Sequence, residues 1–163
     1  MIQQICHWLE TTALSQTLQS ISWAVPVIQT IHILGVAAVV SSMGMLGFRM
    51  LGVAGRQQSL QAVAVRFLPW MWRALVVMVI TGALLIIAEP KRSLPNTAFQ
   101  IKMVMLLGAI GVSLFIRRAV VRTDPGWARS EPLGITAMAR TTGLLVLMAW
   151  VGIVIAGRWI AYT

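Results

Sequence analysis

The chain has 163 residues, of which 58% are hydrophobic and only 10% are charged. A soluble domain carries about 25% charged residues, so this chain has too few polar groups to cover a surface that faces water. The composition therefore excludes a soluble enzyme and predicts an integral membrane protein. The formal net charge of +9 lies mainly at the ends of apolar runs, where it indicates membrane topology and argues against nucleic-acid binding.

The N-terminal residues 2–22 have the pattern of an amphipathic helix. Apolar side chains recur near every fourth position from Ile5 to Ile21, and polar side chains fill the other face. We expect this helix to lie in the membrane interface or, equally, to pack across the mouth of a helical bundle. It has no Lys or Arg, so it resembles neither an anionic-lipid anchor nor the basic start of a cleaved signal peptide.

Four apolar runs follow, and each is close to the length that crosses a bilayer. They cover residues 25–53, 67–88, 98–116 and 138–160. Each run must be helical, because backbone polar groups cannot remain unpaired in lipid. The predicted fold is an all-α integral membrane four-helix bundle in a single domain, with an N-terminal interfacial amphipathic helix. Residues 122–133 are predicted to form a surface loop.

Arginines predict the orientation of the bundle. They follow the first and third apolar runs, at Arg49, Arg56, Arg66, Arg117, Arg118, Arg122 and Arg129. The positive-inside rule places these two loops in the cytoplasm and both termini on the opposite side. We expect Arg49 and Arg73 to extend along the helices towards the interface.

Tryptophans and glycines indicate where the helices meet lipid and each other. Tryptophans near the ends of the runs indicate aromatic belts, at Trp23, Trp70, Trp72 and Trp159. Trp150 lies deeper and is predicted to pack in the core. Close helix contacts are predicted at Gly44, Gly47, Gly152 and Gly157, where side chains are missing.

Two ionisable side chains, His32 and Lys102, stand out inside the runs, and such residues are functional candidates. His32 lies about seven residues into the first run and Lys102 about four residues into the third, so both should lie roughly 6–10 Å below the same membrane face. Their matching depth predicts a shared site between the first and third runs.

His32 is a candidate axial ligand for haem iron, because neutral imidazole binds haem readily. Gly35 lies one turn further on the same face, where a missing side chain would let a flat macrocycle approach. The competing interpretation is a histidine that hydrogen-bonds to a neighbouring helix. Lys102 is a candidate second axial ligand or a partner of haem propionates, and the competing interpretation is a lysine that reaches the interface. His7 could approach this site if the amphipathic helix folds over the bundle.

Four methionines have a spacing that is found in copper-binding sites. Met43 with Met45, and Met103 with Met105, have the spacing of M-x-M copper motifs. Residues two apart on a helix point in nearly opposite directions, so neither pair can chelate one ion. We expect these side chains to pack in the core or against lipid.

Several segments resemble known membrane families. Residues 31–35, which contain His32 and Gly35, resemble the His-x-x-Gly start of a helix in HemJ-type protoporphyrinogen oxidases. Thr81-Gly82, and residues 99–102 with Lys102, are similar to the same group and to CopD-like copper-resistance proteins. Residues 28–35 and 49–52 more closely resemble an uncharacterised family of bacterial inner-membrane proteins.

The HemJ resemblance implies a haem b held in a four-helix bundle, with His32 and Lys102 as its main residues. The expected function is electron transfer to a quinone or a redox partner protein, as a small subunit or oligomer in the bacterial inner membrane. A HemJ-like porphyrinogen oxidase, a CopD-like copper or ion carrier and a structural subunit without a cofactor remain alternatives.

Overall fold

The structure is a computed structural model that describes residues 2–55, 57–118 and 137–159. Within these ranges the chain forms helices and turns and no strand, which confirms the predicted all-α bundle. The helices are α1 Ile2–Glu10, α2 Ala13–Ser20, α3 Ala24–Leu51, α4 Leu60–Ala88, α5 Pro90–Ser93, α6 Thr97–Arg117 and α7 Ala137–Trp159. The loop predicted at 122–133, and with it Arg122 and Arg129, lies outside the described residues, as does Arg56.

The four long helices follow the predicted apolar runs in order. α3 has 28 residues and α4 has 29, so each is about 42–44 Å long, which exceeds a hydrocarbon thickness of about 30 Å. α3, α4 and α6 are long and apolar enough to cross a membrane. α7 contains a shorter apolar stretch, Ala139–Ile155, within the part searched. At least three helices therefore fit the integral membrane protein that the composition predicts.

The N-terminal segment forms two short helices where the sequence pattern predicts one over residues 2–22. The hydroxyls of Thr11 and Thr12 donate to carbonyls in the last turn of α1, at 2.8 and 2.6 Å. Thr12 also caps α2, because its oxygen accepts a hydrogen bond from the backbone N–H of Ser15 at 3.4 Å. Such side-chain bonds compete with the helical ladder and end α1.

The pair α1–α2 packs across the end of α4 and against α5. The Cys6 thiol donates to the carbonyl of Pro90 at 3.6 Å, and the Gln19 amide donates to the last carbonyl of α4 at 2.8 Å. Lys91 forms an ion pair with Glu10 at 2.7 Å. These contacts support the predicted alternative in which the N-terminal segment closes one mouth of the bundle.

The two ends of the bundle differ in packing. We call the end where α3 and α6 begin and α4 finishes the His32 end, and the opposite end the arginine end. α3 packs along α4 and α7, and α6 packs along α7. The core lies towards the arginine end and includes Val39, Met43, Leu46, Met50, Leu68, Met71, Leu75, Met78, Ala109, Ile116, Val146, Trp150 and Ile153. The predicted burial of Trp150 is therefore confirmed.

Glycines permit the close approach of α3 and α7. A Cβ at Gly143 would lie 2.7 Å from Cβ of Met50 and 3.1 Å from the carbonyl oxygen of Gly47. A Cβ at Gly47 would lie 2.7 Å from Cγ of Leu147, which confirms the predicted close contact there. The prediction for Gly44 is wrong, because a Cβ at that position would meet nothing within 4 Å.

We predict that Gly143→Ala destabilises the protein, whereas Gly44→Ala leaves its stability nearly unchanged. The new methyl group at position 143 meets the backbone of α3 and the stiff Cβ of Met50, so the helices must separate, at a cost of about 1–3 kcal/mol. Thermal unfolding of both variants in detergent, followed by circular dichroism, measures the difference. Equal midpoints for the two variants would contradict the close packing of α3 and α7.

Candidate functional site

A hydrogen bond joins the two long helices near the His32 end. Nδ1 of His32, on α3, lies 2.8 Å from Oγ1 of Thr81, on α4. His32 lies about 12 Å below the start of α3 and Thr81 about 10 Å below the end of α4, so the antiparallel helices bring them to one level. Thr81 is buried, with 6% of its surface exposed, and His32 is half-buried.

The surroundings of Thr81 indicate which atom carries the proton. Its hydroxyl lies 2.8 Å from the carbonyl of Val77 and 3.3 Å from that of Met78, both on its own helix. When the hydroxyl donates to one of these carbonyls, its oxygen accepts the Nδ1 proton of His32. The neutral imidazole then carries its lone pair on Nε2. Histidines that bind metals are commonly oriented in this way, through a bond from the other ring nitrogen.

Gly82 provides the surface on which the imidazole rests. A Cβ at Gly82 would lie 3.4 Å from Cε1 of His32 and 3.9 Å from Nδ1. The first distance is tighter than most contacts of a real Cβ, so a larger residue would push the ring away from α4. Thr81 and Gly82 together set the direction and the position of the His32 ring.

Gly35 has a different role from the predicted one. It is buried on α3, and a Cβ there would lie 2.8 Å from Cγ of Met78 and 3.6 Å from the carbonyl oxygen of Ala74. The missing side chain lets α3 approach α4, and the space beside it is filled by Met78. The structure therefore corrects the expectation that a macrocycle lies against Gly35.

Lys102 lies in the first part of α6, at the same end of the bundle as His32. Its side chain lies outside the described residues, so its predicted role as a ligand or propionate partner stays a prediction. Its neighbours along the chain, Ile101, Met103 and Val104, all have exposed side chains. Among the described side chains, none of α6 before Met105 belongs to the apolar core.

His7 lies on α1, which packs on α5, α2 and the end of α4, and its side chain is exposed. Its approach to His32 stays a prediction. Among the described residues, no group of three or more His, Cys, Asp or Glu side chains could hold a metal ion.

The methionine pairs divide between core and surface, as their spacing predicts. Met43 is 1% exposed and Met45 is 44% exposed. Met103 is exposed, whereas Met105 packs against the core, with its Cε 2.5 Å from the position of a Cβ on Gly152. Neither pair brings two sulfur atoms to one side of a helix, which argues against a copper site of M-x-M type.

Arg49 corrects another expectation, because it is buried and does not extend to the interface. Only 3% of its surface is exposed, and its Nε donates to the carbonyl of Gln58 at 2.7 Å. Its side chain also lies under Gly55, whose φ of +65° suits glycine and whose Cβ would lie 3.4 Å from Cδ of Arg49. Arg49 thus organises the connection between α3 and α4.

The chain matches one of the known protein families over most of its length. The sequence profile of a family of unknown function, DUF6644, matches residues 6–163. No curated protein and no solved structure matches the chain.

Proposed function

We propose that this chain, which belongs to the DUF6644 family of unknown function, binds a b-type haem at the His32 end and transfers electrons within the membrane. His32 would hold the haem iron through Nε2, and Lys102 would be a second ligand or the partner of a propionate. The observation that carries this proposal is the 2.8 Å contact between Nδ1 of His32 and Oγ1 of Thr81.

The chemistry of His32 and its neighbours fits a haem ligand. A ligating histidine must be neutral, with one nitrogen protonated and directed at an acceptor, and Thr81 offers that acceptor. Gly82 holds the ring against α4, which limits its rotation. A haem needs only one or two protein ligands, so it does not require a cluster of three metal-ligating side chains.

The packing of the His32 end also supports the proposal. The core of the bundle lies towards the arginine end, and α6 joins it only from Met105 onwards among the described side chains. The first part of α6 exposes Ile101, Met103 and Val104 at the end where His32 and Lys102 lie. A large apolar group between α6 and the other helices would displace few core contacts, because the described side chains of this part of α6 lie outside the core.

The protein residues would bind and orient the group. When bound, the haem supplies reversible one-electron transfer at its iron. His32 would donate the Nε2 lone pair, and Thr81 would hold the Nδ1 proton and fix the plane of the ring. The pair α1–α2, fixed on α4 and α5 through Cys6, Glu10 and Gln19, would keep water from this end. Exposed apolar side chains on α6 would give a quinone or another lipid-soluble partner access to it.

The distribution of charge supports an orientation with the arginine end in the cytoplasm of a bacterial inner membrane. At the His32 end, Lys91 and Arg92 form ion pairs with Glu10 and Glu89. The arginine end carries described arginines on α3, α4, α6 and α7, at Arg49, Arg66, Arg73, Arg117, Arg118 and Arg140. The positive-inside rule favours this end for the cytoplasm.

A histidine that only bridges α3 and α4 would make the same bond to Thr81, so the haem itself must be detected. We predict that the wild-type protein, purified in detergent from haem-replete cells, has a Soret band that sharpens and shifts on reduction with dithionite. Loss of an outer-shell partner lowers metal affinity about 10–100-fold, and His32→Ala, which removes the ligand itself, should lose at least as much. Absorption spectra and the haem content per chain measure this.

The matched control is His7→Ala, which removes the exposed histidine and should keep the full haem content. A colourless wild-type protein would contradict the proposal and favour a bridging histidine. Equal haem content in the His32→Ala variant and the wild type would show that the haem is held elsewhere.

Thr81→Val should weaken haem binding about 10–100-fold or shift the midpoint potential, because valine matches the shape of threonine but cannot accept the Nδ1 proton. Thr81→Ser keeps the hydroxyl and should restore both properties. Haem titration and redox titration of the two variants measure these effects. If Thr81→Val behaves as the wild type, Thr81 does not orient the ligand.

A further inference from the structure

The outer face of α4 carries two arginines at a regular spacing. Arg66 and Arg73 are both exposed, and they lie seven residues apart, so they share one face about 10 Å apart along the axis. Pro69 and Trp70 lie between them and are also exposed. This face points away from the buried side of α4, which is formed by residues such as Leu68 and Met71.

Aromatic rings hold the two guanidinium groups. Cζ of Arg73 lies 5.6 Å from the centre of the Trp70 ring, and Cζ of Arg66 lies 5.9 Å from that of Phe67. Both distances are within the range of cation–π contacts. Arg73 bends by one turn towards the arginine end, as predicted for an arginine that extends towards the interface. Each guanidinium group therefore lies beside an aromatic ring.

Beyond Arg73 the same face becomes apolar. Val76, Val77 and Ile80 follow at spacings of three, four and seven residues, and they are 58%, 40% and 57% exposed. The surface therefore runs from two guanidinium groups, with an indole between them, to aliphatic side chains. A phospholipid likewise runs from a phosphate to apolar acyl chains.

The exposed charge on this face suits an anionic partner. Arg66 and Arg73 are both exposed, and the carboxylates within the described residues, Glu10 and Glu89, lie at the opposite end in ion pairs with Lys91 and Arg92. Arginine binds phosphate well, because its planar donors match the phosphate oxygens. Two arginines on one exposed face, with a tryptophan between them and aliphatic side chains beyond, therefore favour a phosphate carried by a lipid.

We infer that the outer face of α4 formed by Arg66, Trp70, Arg73, Val76, Val77 and Ile80 binds an anionic phospholipid. Its phosphate lies between Arg66 and Arg73, beside Trp70, and one acyl chain lies along the valines and Ile80. The lipid site includes neither His32 nor Thr81, so this inference does not rest on the haem proposal.

The experiment measures lipid selectivity by electron paramagnetic resonance, with the full chain in phosphatidylcholine vesicles. Spin-labelled phosphatidylglycerol and spin-labelled phosphatidylcholine are compared by the fraction of each that the protein immobilises. We expect the wild-type protein to prefer phosphatidylglycerol, and Arg66→Gln with Arg73→Gln to reduce this preference by roughly fivefold per arginine at most. Lys91→Gln with Arg92→Gln removes the same number of charges at the opposite end and should retain the preference.

Three results would overturn the inference. They are a wild-type protein without preference for phosphatidylglycerol, an equal loss of preference in the two double variants, and abolition of the preference by millimolar inorganic phosphate. The last result would indicate a general anion site. The phosphate experiment uses the wild-type protein alone, so it remains decisive if the Arg66 and Arg73 double variant fails to fold.

Discussion

A polar side chain inside a membrane helix must find a partner within the protein, and this constraint explains the His32 site. Smaller residues satisfy it on their own helix. Ser42 donates to the carbonyl of Ala38 at 2.7 Å, and Ser113 donates to that of Ala109 at the same distance. The rigid imidazole of His32 instead reaches across to α4, where Oγ1 of Thr81 lies 2.8 Å away. One polar side chain thereby fixes both the register of α3 against α4 and the direction of the ring.

The same helices divide the bundle into two unlike halves. Near the arginine end, glycines at 47 and 143 bring the backbones of α3 and α7 together, and the core side chains interlock around them. Near the His32 end, the first part of α6 contributes none of its described side chains to the core. Stability thus comes mainly from one half. The proposed haem would lie in the other half, away from most of the core packing.

Helix positions could be predicted from the sequence, because a bilayer demands long apolar runs and the chain has no other way to satisfy its backbone. The divergence of Met43 and Met45 also follows from helical spacing, whereas the shared depth of His32 and Lys102 stays a prediction. The contacts between side chains on different helices do not follow from helical spacing. Hydrophobicity gives the length of a helix but not its rotation about its axis. The sequence therefore could not predict that His32 pairs with Thr81, or that a side chain of α4 fills the space beside Gly35. The burial of Arg49 depends on a loop conformation that apolar runs do not encode.

The central claim is that His32 binds the iron of a haem through Nε2. The most direct measurement is pulsed electron paramagnetic resonance of the ferric protein, labelled with ¹⁵N-histidine in a His7→Gln background so that His32 is the only histidine. We predict strong hyperfine coupling between the iron and one ¹⁵N nucleus. A ferric haem signal without coupling to ¹⁵N would contradict ligation by His32, and a protein that carries no haem would contradict the proposed function as a whole.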